Sequence, residues 1–194
     1  HRLAGFFGAF RDMLQSRKRH PDDRIAVLTP GFANETYFEH AYIARYLGMM
    51  LVEGEDLTVR DGELMVRTVA GLRPISVLWR RLDAAFADPL ELNEESRIGT
   101  AGLVEAVRRG SVAVVNALGS GILETRALPA FLPAIARRLL GETLKLPSVA
   151  TWWCGNEDDL AFVANNIDRL VIGPALSTRM AFEDEAETTL GALL

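Results

Sequence analysis

An α/β domain with a largely parallel sheet flanked by helices, and with one antiparallel hairpin, is the fold class this sequence predicts. Three observations lead to it. The run "RIAVLT" at residues 24–29 is apolar and rich in β-branched residues; Pro30-Gly31 breaks it and a helical stretch follows, which is how a β-α unit opens. Asp61-Gly62 lies between two strand-like segments, where it suits a tight hairpin turn. Strand, helix and strand then recur between residues 75 and 118, an alternation that favours parallel pairing.

The elements follow in chain order. Leu3, Phe6, Phe7, Phe10 and Leu14 recur at helical spacing, so residues 3–16 form an amphipathic helix. "RKRHPDD" is an exposed loop, and residues 24–29 are the first strand. Asn34 or Thr36 caps the helix "ETYFEHAYIARYLG", which Gly48 closes. "MMLVEG" is the second strand, "LTVRDGELMVRTVAG" supplies two more around the hairpin turn, and "ISVLWRR" is the next. After the polar stretch "DPLELNEESR", the helix "TAGLVEAVRRG" leads to the strand "SVAVVNAL". Pro129 and Pro133 interrupt the helical composition of residues 124–141, which predicts two short helices or one strongly kinked one. "LPSVATWWCG" is extended, Asn156 caps "NEDDLAFVANNIDRL", and "VIGPA" is a last short strand. The tail "FEDEAETTLGALL" has no partner pattern.

The domains expected are an N-terminal helix and loop (1–23), a Rossmann-like α/β domain (24–175) and a C-terminal tail (176–194). In such sheets ligands bind beyond the carboxyl ends of the strands. That rule marks residues 30–34, 80–83 and 116–121 as the rim.

The 194 residues, 49% hydrophobic and 24% charged, suffice for a full core. A net charge of −5 argues against a nucleic-acid binder, which carries a basic face to displace phosphate counterions. The single cysteine, Cys154, excludes an internal disulfide and a multi-cysteine metal site, and fits a cytoplasmic location. No apolar stretch approaches the ~20 residues that span a bilayer, so no membrane partner is expected.

Each motif has a functional and a structural reading. Arg80, Arg81 and Asp83 end a strand; guanidinium forks onto carboxylates, so the arginines suit an anionic ligand, and equally an Arg–Asp pair that fixes the turn. Only one of two adjacent strand residues can face a cleft. The glycines of "NALGSGILE" could cradle a phosphate, but the third glycine of a dinucleotide fingerprint and the lysine of a P-loop are missing, which favours an ordinary turn. His40 beside Glu39 could be a general base; no second histidine has metal spacing, and a packing or capping role is the stronger reading. Trp152, Trp153 and Cys154 could line a pocket, but packing is the stronger reading for two adjacent tryptophans, and Cys154 has no neighbouring histidine in sequence to activate its thiol.

The ordered segments "LTPGFANETYFEHAYIARYLG", "LVEGEDLTVRDGELMVRT", "VLWRRLDAAFADPLEL", "GLVEAVRRGSVAVVNALGSGILETRALPAFLPAIARRLLGE" and "LPSVATWWCG" resemble the circularly permuted ATP-grasp proteins, of the kind related to glutathionylspermidine synthase. The likeness runs from about residue 24 to residue 175. It implies an ATP-dependent carboxylate-amine ligase, in which magnesium-ATP phosphorylates a carboxylate and an amine attacks the acyl phosphate. It also implies that this chain is the central, pre-grasp substrate-binding portion of a longer protein.

Carried over residue by residue, the family's loop after its first strand falls on Gly31, Asn34, Tyr37, Glu39 and His40, and its basic strand end on Arg80, Arg81 and Asp83. The turn of its phosphate side falls on Asn116, Gly119, Ser120 and Gly121, with Arg126 nearby. Where the family commonly has a lysine or arginine to hold ATP phosphates, this chain has Gly173, and no later segment offers magnesium ligands. ATP and magnesium are therefore expected of the full-length protein, with tight binding by this chain alone not expected. Substrates would be a small carboxylate and an amine, and loss of Arg80 or Arg81 would abolish turnover with the fold intact. The alternative is a non-catalytic α/β binding or interaction module.

Overall fold

The computed structural model describes residues 2–177, which fall into two compact units divided between Leu118 and Gly119. The first contains α1 (Arg2–Gln15), β1 (Arg24–Leu28), α2 (Tyr37–Leu47), β2 (Met50–Val52), β3 (Leu57–Arg60), β4 (Glu63–Thr68), β5 (Gly71–Arg80), α3 (Leu103–Arg108) and β6 (Ala113–Val115). The second contains α4 (Leu128–Leu140) and α5 (Glu157–Ala164). Among the described residues, no helix is long and apolar enough to cross a membrane.

The strands of the first unit form a mixed sheet in the order β2-β1-β5-β4-β3, with β6 also paired to β5. β1 lies parallel to β2 and to β5, and β5 parallel to β6. β3 with β4 and β4 with β5 are antiparallel. The antiparallel share exceeds a single hairpin because β5 starts at Gly71, four residues before the predicted run. Its first residues pair with β4 and the rest with β1.

Local chemistry explains these strands. Residues 25–28 and 75–80 are buried without interruption, as strands covered on both faces require. Asp61 (φ 53°) and Gly62 (φ 79°) both adopt the left-handed conformation that a two-residue type I′ turn demands. The strand expected over residues 111–118 shrinks to Ala113–Val115.

Helices cover both faces. On one, Leu14 of α1 packs with Ile25 and Val77, and Ala44 and Leu47 of α2 pack with Val27 and Trp79. Phe10 meets Trp79 edge to face with ring centroids 4.8 Å apart, a geometry that adds about 0.5–1.5 kcal/mol to simple burial. On the other face, Ala26, Leu28, Val52 and Leu78 pack with Leu82, Ala87, Leu103 and Ala106. Six-residue α3 cannot stand by its own propensity. Its start is held by the fully buried Asp88, whose carboxylate accepts from Gly102 N (3.2 Å), Val104 N (2.9 Å) and Leu90 N (2.9 Å). Hydrogen bonds to a charged acceptor contribute roughly 1.5–3 kcal/mol each.

In the second unit, residues 128–140 form one helix, where two short helices or one strongly kinked one were expected. Pro129 falls in the first turn, where its missing N–H has no intrahelical partner to lose, and Pro133 is accommodated inside. Asn156 Oδ1 accepts from Asp158 N (3.0 Å) and caps α5, as predicted. Residues 171–175, expected as a strand, form none, although Ala127 N donates to Ala175 O at 2.9 Å. Trp152 stacks on Phe162 (4.7 Å) and Trp153 lies against Phe131 (5.4 Å), so both tryptophans pack, and Cys154 is exposed. Residues 182–194 lie outside the described residues.

Candidate functional site

Because β2, β1, β5 and β6 are parallel, their carboxyl ends share one edge of the sheet. Val52, Leu28 and Arg80 form its last paired row. Thr29 N donates to Val52 O (2.9 Å) and Arg81 N to Leu28 O (2.8 Å), which carries the ladder one residue further. Glu53, Thr29 and Arg81 thus stand side by side in the next row. Since successive residues alternate between faces, this row points to the α1/α2 side and Arg80 to the other.

The two arginines are therefore used differently. Arg80 is only 8% exposed; its Nε donates to Asn116 O (2.8 Å) and its Nη1 to Leu82 O. Asn116, in the left-handed region at φ 58°, returns a bond from Nδ2 to Arg80 O (3.0 Å), so the pair ties the ends of β5 and β6 together. Arg81 is exposed, with its guanidinium 5.6 Å above the Trp79 ring. Asp83 caps the short turn Ala84–Phe86 by accepting from Ala85 N (3.2 Å). Among the described residues Arg81 forms no ion pair with Asp83.

His40 is buried between two threonines. Its Nδ1 lies 2.9 Å from Thr29 Oγ1 and its Nε2 3.1 Å from Thr36 Oγ1. Thr36 gives its hydroxyl proton to Asn34 Oδ1 (2.5 Å), so it accepts from Nε2–H, and Nδ1 accepts from the Thr29 hydroxyl. A one-way hydrogen-bond chain thus runs from the end of β1 through α2 to Asn34. It requires neutral imidazole. Burial lowers the His40 pKa from 6.5, and the Arg81 charge lowers it further against a smaller upward pull from Glu39. A depressed pKa means the unfolded chain binds the extra proton first, so the stability from neutral His40 is complete above pH 6.5 and is lost as pH falls through the lower, folded value. Urea unfolding between pH 7.5 and 5 is expected to show a loss of stability on acidification that His40→Gln reduces; equal slopes would contradict the chain.

Gly31 holds φ 102°, outside the comfortable range of any side chain, and a Cβ there would meet Glu53 Oε2 at 2.9 Å and Oε1 at 3.4 Å. The Glu53 carboxylate thus leans over the loop that leaves β1. Half-buried Tyr37 and exposed Glu39 occupy the first turn of α2. Gly31, Asn34, His40 and Arg81 therefore surround one loop, and Arg80 with Asn116 forms a separate clamp. The remaining predicted residues belong to the second unit. Gly119, Ser120 and Gly121 open the turn Ser120–Glu124, and the Arg126 guanidinium fills the space a side chain at Gly173 would occupy.

As site residues Thr29 and Glu53 escape the sequence reading, which takes Thr36 only as a candidate helix cap. The rule that found the other strand ends applies equally to Glu53, the residue after β2. The polar hollow of about 400 Å³ in this unit lies at the opposite end of the strands, lined by Arg19, Glu63, Arg109 and Ser111 among others. None of the predicted residues is there. Among the described residues, no three His, Cys, Asp or Glu side chains are grouped to hold a metal ion.

Comparison with known proteins adds the following. A family model described as circularly permuted ATP-grasp type 2 matches residues 1–190. An uncharacterized protein of Mycobacterium tuberculosis is 46% identical over 156 residues, which is 80% of this chain and 18% of that protein. An uncharacterized protein of Synechocystis is 40% identical over 151 residues, 78% of this chain and 31% of its own length. A second from Mycobacterium tuberculosis is 40% identical over 153 residues, 79% of this chain and 28% of that protein. The chain thus spans less than a third of these relatives.

Proposed function

As the chain belongs to the circularly permuted ATP-grasp type 2 family, we propose that it is the Rossmann-like substrate-binding portion of a longer, cytoplasmic ATP-dependent carboxylate-amine ligase, similar to glutathionylspermidine synthase and working through an acyl phosphate. The observation that carries this reading is Arg81, a permanent cation presented at the carboxyl edge of the sheet beside the Gly31 loop and without a carboxylate partner among the described residues. It is placed to receive the substrate carboxylate, with the neutral His40 chain fixing the loop it faces.

Magnesium-ATP would supply the phosphoryl group that activates that carboxylate. The described residues do not fit the metal, because among them no three His, Cys, Asp or Glu side chains are grouped to hold it. For the phosphates, Arg126 over Gly173 offers a cation where the family resemblance expects one.

The test is amine- and carboxylate-dependent ADP release by the longer polypeptide. Arg81→Ala is expected to raise KM for the carboxylate about 10- to 100-fold, the roughly 1.5–3 kcal/mol of a charge-assisted hydrogen bond, with kcat largely kept. Absence of ADP release with any carboxylate-amine pair would overturn the assignment. The second reading, a non-catalytic binding module, rests on Gly173 and the missing metal group; saturable magnesium-ATP binding in calorimetry of this chain would count against it.

A further inference from the structure

Helices α1 and α2 leave an aromatic surface open to solvent. Phe38, Tyr42 and Tyr46 recur every four residues and therefore share one face of α2. Tyr42 stacks on Tyr46 with ring centroids 6.2 Å apart, Tyr46 meets Phe7 of α1 edge to face at 6.0 Å, and Phe7 meets Phe6 at 5.4 Å. From Tyr42 to Phe6 the rings thus form a continuous row across both helices, and Leu3 lies one turn before Phe6. Leu3, Phe6, Phe38, Tyr42 and Tyr46 are each between 55% and 80% exposed. Single apolar residues on a surface are ordinary, whereas a contiguous patch of this kind marks a contact surface. Aromatic side chains bury roughly 150–250 Å² each, so the five offer about 600 Å² per copy, close to the roughly 800 Å² per partner of a stable interface.

The charges beside this surface point to what covers it. Glu39 stands three residues before Tyr42 and Arg45 three residues after it, while Phe38 and Tyr46 stand four before and four after. Glu39 and Arg45 are both exposed, and neither forms an ion pair among the described residues. A twofold axis beside Tyr42, at right angles to α2, makes two copies of the helix antiparallel, so each residue meets the one equally far on the other side of Tyr42. Tyr42 then faces its own counterpart, Phe38 faces Tyr46 of the second copy, and Glu39 comes level with the second copy's Arg45, twice over by symmetry. Both side chains are long enough to close across helix axes about 8–10 Å apart. A parallel pair would instead set Glu39 against Glu39 and Arg45 against Arg45. We propose that two copies of this chain associate through α2, antiparallel about Tyr42, with the two Glu39–Arg45 pairs fixing the register. Glu39, given to the substrate by the family resemblance, serves this interface instead, and the association is independent of the ligase reading.

Sedimentation velocity over micromolar concentrations should show the 194-residue chain passing from monomer to dimer. Tyr42→Arg puts two like charges on the axis and should weaken the dimer about 100-fold. Glu39→Arg and Arg45→Glu should each weaken it about tenfold, whereas the double variant Glu39→Arg/Arg45→Glu should return to within about threefold of the parent. The two single variants, mixed, should pair with each other more tightly than either pairs with itself. All three side chains are exposed, so the thermal midpoint of the monomer should hold in every variant. A monomer at every concentration overturns the proposal even if no variant folds, and leaves the surface to the remainder of the longer polypeptide. A dimer that Tyr42→Arg leaves unchanged, or a double variant no better than the single ones, overturns it too.

Discussion

Arg80→Ala is expected to destabilise the first unit by about 3 kcal/mol, measured as a lower urea midpoint with an unchanged slope. The substitution removes donors from the Asn116 and Leu82 carbonyls; Leu82 is buried, and a buried acceptor left unpaired costs roughly 1–3 kcal/mol, to which the lost packing of the buried Arg80 stem adds. It also frees the end of β6, which is only three residues long and has the Arg80–Asn116 exchange at its exit. Arg80→Lys should recover part of the loss, since one ammonium cannot reproduce two donors in a fixed fork. A change below about 1 kcal/mol would show that the clamp contributes little. The expectation that either arginine could be removed with the fold intact is therefore kept for Arg81 alone, because Arg80 is buried and bonded to two carbonyls whereas Arg81 is exposed.

The second large effect concerns Arg126. Its guanidinium lies where a side chain at position 173 would project, so a cation reaches that place from a different point in the chain. If this charge faces nucleotide phosphates, Arg126→Ala should reduce ADP release by the longer polypeptide about 100-fold, the scale on which preorganised charge stabilises a transferred phosphoryl group. Gly173→Lys added to that background should restore activity to within about tenfold of the parent. Gly173→Lys alone should impair it, because two side chains then compete for one space. Undiminished turnover in Arg126→Ala, or no recovery in the double variant, would remove Arg126 from the site.

How much of this is legible in the chain depends on whether the signal is local. β1 and the second half of β5 are readable because strands buried on both faces must be apolar throughout, and the hairpin because Asp61-Gly62 tolerates left-handed backbone. The first half of β5 is hidden: "GLRP" holds Gly71, Arg73 and Pro74, and becomes strand only because β4 is there to pair with it. Conversely "VIGPA" has strand composition but forms no strand among the described residues. The site divides the same way. Arg80 and Arg81 stand out as charges after an apolar run, whereas Glu53 reads as an ordinary loop acid until β2 is known to lie beside β1. Thr29 and Thr36 acquire their roles only through His40, eleven and four residues away.

The double pairing of β5 also bears on the order of assembly. β3, β4 and β5 are sequence neighbours joined by two-residue turns, so they can zip on the ~1–10 μs scale of hairpins. β1 and β6 must instead be captured across long loops whose closure is entropically slower. The meander should therefore act as the template on which the parallel strands register, and the edge at the carboxyl ends of the parallel strands should be the last part of the sheet to become organised.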